Sequence, residues 1–351
     1  MIKVRLQEGS CTRYYSKFSS CSLCSDICPT DAIEQKELEL KVSQDDCISC
    51  GACVGVCPNE ALSLANFDPT EFFFDFLKSN ESVISCKSNF VCLAGLNVEY
   101  LLTLGLVKDV IVDIGYCKEC DISESCYPQI EKNISEANRL LNSFGFKSIE
   151  AKEIKAKKEE QPSRREFFNI FSVKNIANTK RNFEESLEES SGIGSEVTKA
   201  IREKKLPNKR KILFTILNKI GKVKEYELFK EEDVSFTSSK FIDYSCDNCS
   251  ICYRLCPTGA LSTNSKSSKI YFDDLMCIKC RLCHDVCEKD SISLKSFDTK
   301  EFFEATQKEL IGFDVARCDE CGTYFTYKGG EKMCQRCKKE EEGALELWGL
   351  N

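Results

Sequence analysis

A chain of 351 residues is too long for one small core and predicts two or three domains. Its formal charge of −7 argues against nucleic acid as the main partner, no stretch approaches the roughly 18 apolar residues of a membrane span, and a single histidine, His284, leaves histidine-based acid–base catalysis almost nothing to work with. The 25 cysteines decide the class: without an apolar leader in Met1 to Gly9 the expected compartment is reducing and cytoplasmic, so the thiols read as metal ligands rather than disulfides.

Residues 1–67 carry the first metal-binding unit. Cys47-x2-Cys50-x2-Cys53-x3-Cys57-Pro58 is regular, while its partner reads Cys11-x9-Cys21-x2-Cys24-x3-Cys28-Pro29. Three thiolates two residues apart wrap three corners of one iron–sulfur cube, whereas a fourth, set off by three residues, ligates the neighbouring cube. That crossing assigns Cys11, Cys21, Cys24 and Cys57 to one [4Fe-4S] cluster and Cys47, Cys50, Cys53 and Cys28 to the other. The first cluster turns on Cys11, without which it would be [3Fe-4S] or absent. Zinc is the alternative, but its sites take four ligands in closed pairs rather than interleaved threes plus one.

Over 68–151 the pattern becomes α/β, with strands expected over 82–85 and 109–114 and helices over 96–106 and 129–144. The alternation predicts a small parallel sheet with helices on its faces. Cys86 and Cys92 follow the first strand, Cys117 and Cys120 the second, and Cys126 lies shortly beyond, at the sheet edge where open α/β folds hold ligands. The order Cys92, helix, apolar strand, Gly115-Tyr116-Cys117, Cys120, long helix resembles the delta-subunit domain of the methanogen methyl-viologen-reducing hydrogenase. The cysteine pair here is tighter, and Cys86 is close to Cys92 rather than well upstream. The resemblance implies a [2Fe-2S] cluster on Cys86, Cys92, Cys117 and Cys120 that passes electrons from a hydrogenase or formate dehydrogenase to a partner reductase; zinc and no metal stay open as alternatives. Cys126 either replaces Cys120 or is a partly buried thiol, and the second reading is preferred.

Residues 152–239 lack cysteine and are strongly charged, which predicts a partly helical linker with apolar-periodic segments over 165–171 and 211–220 joined by mobile chain. Residues 162–168 look like a twin-arginine export motif, but no apolar stretch follows, and Gly192-Ile193-Gly194 reads as flexible linker rather than a phosphate loop. The basic run Lys199, Arg202, Lys204, Lys205, Lys209, Arg210 and Lys211 is expected to be a solvated helix face, with a docking surface for an acidic redox partner as the sharper alternative.

The cluster motif returns over 240–312 as Cys246-x2-Cys249-x2-Cys252-x3-Cys256-Pro257 and Cys277-x2-Cys280-x2-Cys283-x3-Cys287. The same rule groups Cys246, Cys249, Cys252 and Cys287 on one [4Fe-4S] cluster and Cys277, Cys280, Cys283 and Cys256 on the other. His284, inside this run, is expected to be a solvent-facing filler rather than a ligand. Residues 57–73 align without gaps on 287–303, including Phe67-Asp68 on Phe297-Asp298, so the unit and a following helix are read as duplicated, with Asp68 and Asp298 as caps and the phenylalanines as core. Residues 1–67 and 240–297 resemble bacterial-type two-cluster ferredoxins.

Over 313–351, Cys318-x2-Cys321 and Cys334-x2-Cys337 flank a short aromatic spacer, the pattern of a zinc ribbon, with rubredoxin-type iron as the alternative. The expected fold is thus an α+β multidomain chain: two ferredoxin-like 2[4Fe-4S] modules, a small α/β parallel-sheet domain, a charged helical linker and a zinc ribbon. No serine–histidine–aspartate set or nucleotide fingerprint is visible, so the chain is read as an electron carrier rather than an enzyme. The whole layout resembles the polyferredoxin-like 4Fe-4S proteins encoded with molybdenum or tungsten formate dehydrogenases. That resemblance implies relay of single electrons between a dehydrogenase or hydrogenase subunit and another carrier, or alternatively a maturation or redox-sensing adaptor docking through the basic linker.

Overall fold

A computed structural model describes residues 3–36, 39–154, 193–223, 225–304 and 307–347. The chain opens with β1 (Val4–Leu6), α1 (Thr12–Tyr15), α2 (Leu23–Asp26), the hairpin of β2 (Ile33–Lys36) and β3 (Glu39–Val42), then α3 (Ala52–Val56) and β4 (Leu62–Leu64). β4 returns antiparallel onto β1 with Leu64 opposite Val4, closing a small core of Val4, Ile33, Leu40, Leu62 and Leu64 around Cys47 and Cys53. The next helix, α4 (Pro69–Lys78), begins where expected because the Asp68 carboxylate accepts from the Thr70 N–H at 2.7 Å, and it buries Phe73 and Phe76.

The central unit is β5 (Val83–Ser85), α5 (Val98–Val107), β6 (Ile111–Asp113), α6 (Ser123–Ser143) and β7 (Glu150–Lys152). The three strands are parallel in the order β5, β6, β7. β7 has no counterpart in the sequence reading, because Glu150-Ala151-Lys152 forms a largely exposed edge strand that carries no apolar alternation. α6 starts at Ser123 rather than 129 and contains Pro128. α5 is apolar almost all round because it is covered on both sides, by α6 and by the later helix α8.

The segment expected to be a linker contains α7 (Ile193–Glu203) and α8 (Asn208–Ile220). The stretches 162–168 and 165–171 lie outside the described residues. Leu213 and Leu217 of α8 are fully buried in the central core, and Gly194 lies within α7 rather than in a loop. The basic run is likewise not a uniformly solvated face. Lys209 and Arg210 are 4% and 0% exposed, because their charges are taken up by Glu99 of α5 and by backbone carbonyls of both cysteine-rich units.

The second cysteine-rich unit runs through β8 (Leu228–Phe229), β9 (Ser239–Ile242), α9 (Ile251–Leu255), β10 (Leu261–Thr263), β11 (Lys269–Phe272), α10 (Leu282–Asp285), β12 (Ile292–Lys295), β13 (Phe297–Asp298) and β14 (Lys308–Gly312). β12 pairs antiparallel with β9, Leu294 opposite Lys240, which repeats the β1–β4 closure. The helix expected after Asp298 is only a 3-10 turn over Thr299–Phe302. Asp298 still caps it through the Lys300 N–H at 2.9 Å, but the chain then returns as β14 to extend the β10–β11 hairpin, which stops helix growth. β15 (Val315–Arg317), β16 (Tyr324–Thr326) and α11 (Gln335–Leu347) complete the described chain. No described helix is long and apolar enough to cross a membrane.

The two cysteine-rich units touch. Tyr15, in the loop that separates Cys11 from Cys21, packs on Leu282 and Val286 of the second unit. Beside it the Ser20 N–H and hydroxyl donate to the Asp285 carboxylate at 2.9 and 2.8 Å.

Candidate metal centres

The cysteine loops share one backbone recipe. In Cys47–Cys53, Cys246–Cys252 and Cys277–Cys283, the residues immediately before and after the middle cysteine are left-handed: Ser49 and Gly51, Asn248 and Ser250, Lys279 and Arg281. The third residue after each closing cysteine is left-handed too, at Asp31, Glu60, Gly259 and Asp290. Most of these are not glycine, so each costs about 1 kcal/mol of local strain that the surrounding loop must outweigh. The turns aim N–H groups at sulfur: Ser49 at Cys47 Sγ (3.5 Å), Lys279 at Cys277 Sγ (3.4 Å), Ala61 at Cys57 Sγ (3.2 Å). N–H donors directed at sulfur suit thiolates rather than thiols. Cys11 and Cys21, separated by α1 and its loop, lack the paired left-handed residues; Ser22 sits at φ −128°.

Cysteines distant in sequence meet around common spaces. One cavity is lined by Cys246, Cys249, Cys252 and Cys287, walled by Ile242, Ile270 and Ile292. Another is lined by Cys28, Cys47, Cys50 and Cys53, with Val4 and Ile33 in its wall. The remaining sets interact electrostatically, Cys11, Cys21, Cys24 with Cys57, and Cys277, Cys280, Cys283 with Cys256. Burial, reinforced by neighbouring sulfurs, pushes the thiols of Cys24, Cys53 and Cys283 up to about 12 and that of Cys11 to about 11. Bare thiolates so crowded would be unstable, and a positively charged iron–sulfur group on them removes that cost, so donor chemistry and cavity fit such a group.

Cations stand behind the sulfurs. Lys3 donates to the Cys47 carbonyl at 2.6 Å, Lys209 to that of Cys57 at 2.6 Å, Lys204 to that of Cys256 at 2.9 Å and Arg210 to that of Cys277 at 2.7 Å. Lys240 is buried among Cys277, Cys283, Cys280 and Cys256; burial opposes its charge, yet these sulfurs hold its pKa above the ordinary lysine value. His284 is half-buried and 3.1 Å from the Lys240 ammonium, not a solvent-facing filler. Burial, then the charges of Lys240 and Arg281, lower its pKa to about 4, so the ring is neutral and accepts from Lys240. Tyr15 lies within electrostatic reach of Cys280 and Cys256 on one side and Cys11 on the other. Sequence reasoning missed Tyr15 and Lys240; the only visible signal for Tyr15 was the unusually long Cys11–Cys21 loop.

In the central unit Cys86, Cys92, Cys117 and Cys120 gather at the carboxyl end of β5 and β6 and interact through their charges. They do not form the tight group in which sulfurs all lie within 4.8 Å, which among the described residues occurs only at the C-terminus. Cys126 is fully buried and its thiol hydrogen-bonds both Cys92 and Cys50. Those bonds keep Cys126 protonated and pull Cys50 and Cys92 down. The Cys92 N–H also donates to the Cys50 carbonyl at 3.2 Å, so the central unit and the first cysteine-rich unit are joined at the backbone of these two cysteines.

At the C-terminus the sulfurs of Cys318, Cys321, Cys334 and Cys337 form that tight group, with Cys321 and Cys334 3.7 Å apart. Four bonds of about 2.3 Å to one tetrahedral ion place sulfurs about 3.8 Å apart, so this set can hold a metal. Gly322, left-handed at φ +70°, turns its N–H onto the Cys318 carbonyl at 3.0 Å and closes the first knuckle.

Residues 19–62 match the family model of a 4Fe-4S dicluster domain, and residues 245–291 match a second model of the same description. Cys11 precedes the first match. No curated protein matches the chain. Two dicluster domains, each carrying cysteine loops of matching backbone, make this an iron–sulfur, ferredoxin-like protein of mixed α+β structure with an electron-transfer role.

Proposed function

We propose that the chain is a cytoplasmic single-electron relay in which four [4Fe-4S] clusters connect an outer terminus at Cys246, Cys249, Cys252 and Cys287 to a [2Fe-2S] centre on Cys86, Cys92, Cys117 and Cys120. One observation supports it above the rest: the cysteine sets form a succession. The Cys246 set shares a domain with the Cys256 set, Tyr15 lies between that set and Cys11, and Cys50 is hydrogen-bonded to Cys92. Each cluster when bound supplies reversible one-electron storage at a potential set by charge, hydrogen bonds and burial. The protein's own part is to hold the sulfurs and exclude water. Cys249 is exposed whereas Cys277 and Cys283 are buried, which suits Cys249 to the end that meets a partner.

The partner in this reading is a dehydrogenase or hydrogenase subunit, with formate dehydrogenase as the first candidate and a second redox carrier beyond. Anaerobically loaded protein is expected to carry 16 to 18 irons, counted as about four per cube plus two for the central centre, and to speed formate-dependent reduction of a one-electron acceptor by the dehydrogenase. If the dehydrogenase reduces the acceptor equally fast without the chain, the relay is wrong. The adaptor alternative differs in outcome: without the chain, the dehydrogenase would then fail to assemble even when supplied with an artificial dye.

Zinc is proposed for the C-terminal set. Dialysis against a strong chelator is expected to release one zinc per chain and loosen the β15–β16 hairpin while iron content stays constant, because zinc and fold are coupled in so small a unit. Release of iron instead of zinc would favour the rubredoxin alternative.

A further inference from the structure

The duplication supplies an internal comparison at one buried position. In the first unit Val4 lies opposite Leu64, and in the second Lys240 lies opposite Leu294, the residue that the ungapped repeat aligns with Leu64. Val4 and Lys240 are therefore the same place in the two copies. Val4 lines the space of Cys28, Cys47, Cys50 and Cys53, while Lys240 stands at the equivalent set of Cys256, Cys277, Cys280 and Cys283.

Part of the surroundings is matched in kind. Lys3 on the Cys47 carbonyl answers Arg210 on the Cys277 carbonyl, at 2.6 and 2.7 Å. Lys240 adds a charge that the first copy lacks at this position, 6% exposed, within electrostatic reach of the Cys283 sulfur, 3.1 Å from His284 Nε2 and 5.7 Å from the centre of the Phe272 ring. Lys204, on the Cys256 carbonyl at 2.9 Å, adds another close by.

Reduction adds one negative charge to a thiolate-bound cluster. A buried cation beside ligand sulfurs stabilises the added charge and is poorly screened by water. The burial of Cys277 and Cys283 acts the other way, and a charge at Lys240 is what offsets it.

We propose that Lys240 raises the reduction potential of the cluster held by Cys256, Cys277, Cys280 and Cys283 above that of its twin on Cys28, Cys47, Cys50 and Cys53, so that electrons collect at the junction of the two units. The inference rests on the relay reading and gives it a direction: an electron arriving at the Cys246 end falls into the junction and must be driven onward to the central unit by a second.

The test is a redox titration followed by EPR on the full chain, comparing wild type with K240M, K240R and K240Q. With iron content unchanged, K240M is expected to lower the one-electron reduction constant of one cluster about tenfold, a midpoint shift of about 59 mV downwards, and K240R to restore most of it. An unmoved midpoint in iron-replete K240M overturns the proposal. Should K240M lose iron, K240Q keeps a donor of similar reach without the charge; a midpoint that falls supports charge as the cause, and one that stays at the wild-type value overturns it. A wild-type chain that takes up no iron would overturn the relay itself, an outcome distinct from clusters that form and do not respond to Lys240.

Discussion

Arg210→Met is expected to destabilise the cluster-loaded protein by about 3–5 kcal/mol, the usual cost of stripping one partner from a buried ion pair. The Arg210 and Glu99 side chains are 0% and 3% exposed, with Nε 2.5 Å from Oε1. The guanidinium also donates to the carbonyls of Leu275, Cys277 and Phe236, so its loss leaves a carboxylate with only Lys209, 4.0 Å away, and orphans three acceptors. These bonds tie α5, α8 and a ligand loop of the second unit into one body. The measurement is the denaturant midpoint followed by iron–sulfur absorbance. The pair Arg210→Met with Glu99→Gln should recover part of the loss, because the buried carboxylate that Arg210 leaves behind is then neutral, while Lys209 keeps the Cys57 carbonyl at 2.6 Å. A midpoint for Arg210→Met within about 0.5 kcal/mol of wild type, the range of ordinary surface changes, would show that the strut carries no stability.

The second expected result concerns the crossing of ligands. Cys287→Ala should damage the cluster of Cys246, Cys249 and Cys252, whose cavity it shares, and not that of its sequence neighbours Cys277, Cys280 and Cys283. Iron should fall by between one atom and about four, the content of one cube. Cys256→Ala should do the reverse, and the two are told apart by Lys240: K240M should still shift a midpoint in the Cys287→Ala chain but find its target cluster damaged in the Cys256→Ala chain. If Cys287→Ala abolishes the response to K240M, the ligands are not crossed.

Much of this architecture was legible in the sequence because cysteine spacing is a local property. A Cys-x2-Cys-x2-Cys-x3-Cys run fixes which sulfurs can turn to the same side, and the loops with paired left-handed residues follow directly from it. The strong apolar runs behind α5 and β6 were equally readable, since burial on both faces leaves a continuous signal. β7 was not, because an exposed edge strand needs no apolar pattern, and the helix after Asp298 was overestimated because pairing of β14 with β11 outweighed a local helical preference.

The basic segment shows where reading by composition failed. Lys204, Lys209 and Arg210 look like a solvated face, and a charge run normally is one. Carbonyl oxygens of Cys256, Cys57 and Cys277, together with Glu99, turn them inward, and none of those partners is near in sequence.

By itself the sequence determined that sulfur would be grouped in two repeated units, because ligand spacing and the strand-length repeat act over a few residues. Only the tertiary structure decided that Tyr15 would bridge those units, that Cys50 would meet Cys92 and Cys126, and that Lys240 would occupy the place of Val4. Val4 stands seven positions ahead of Cys11 and Lys240 six ahead of Cys246, so the correspondence of Val4 with Lys240 emerges only from strand pairing, Leu64 and Leu294 being the matched partners. Contacts between residues hundreds of positions apart depend on which faces remain to be covered once each unit has folded, and no local pattern records that.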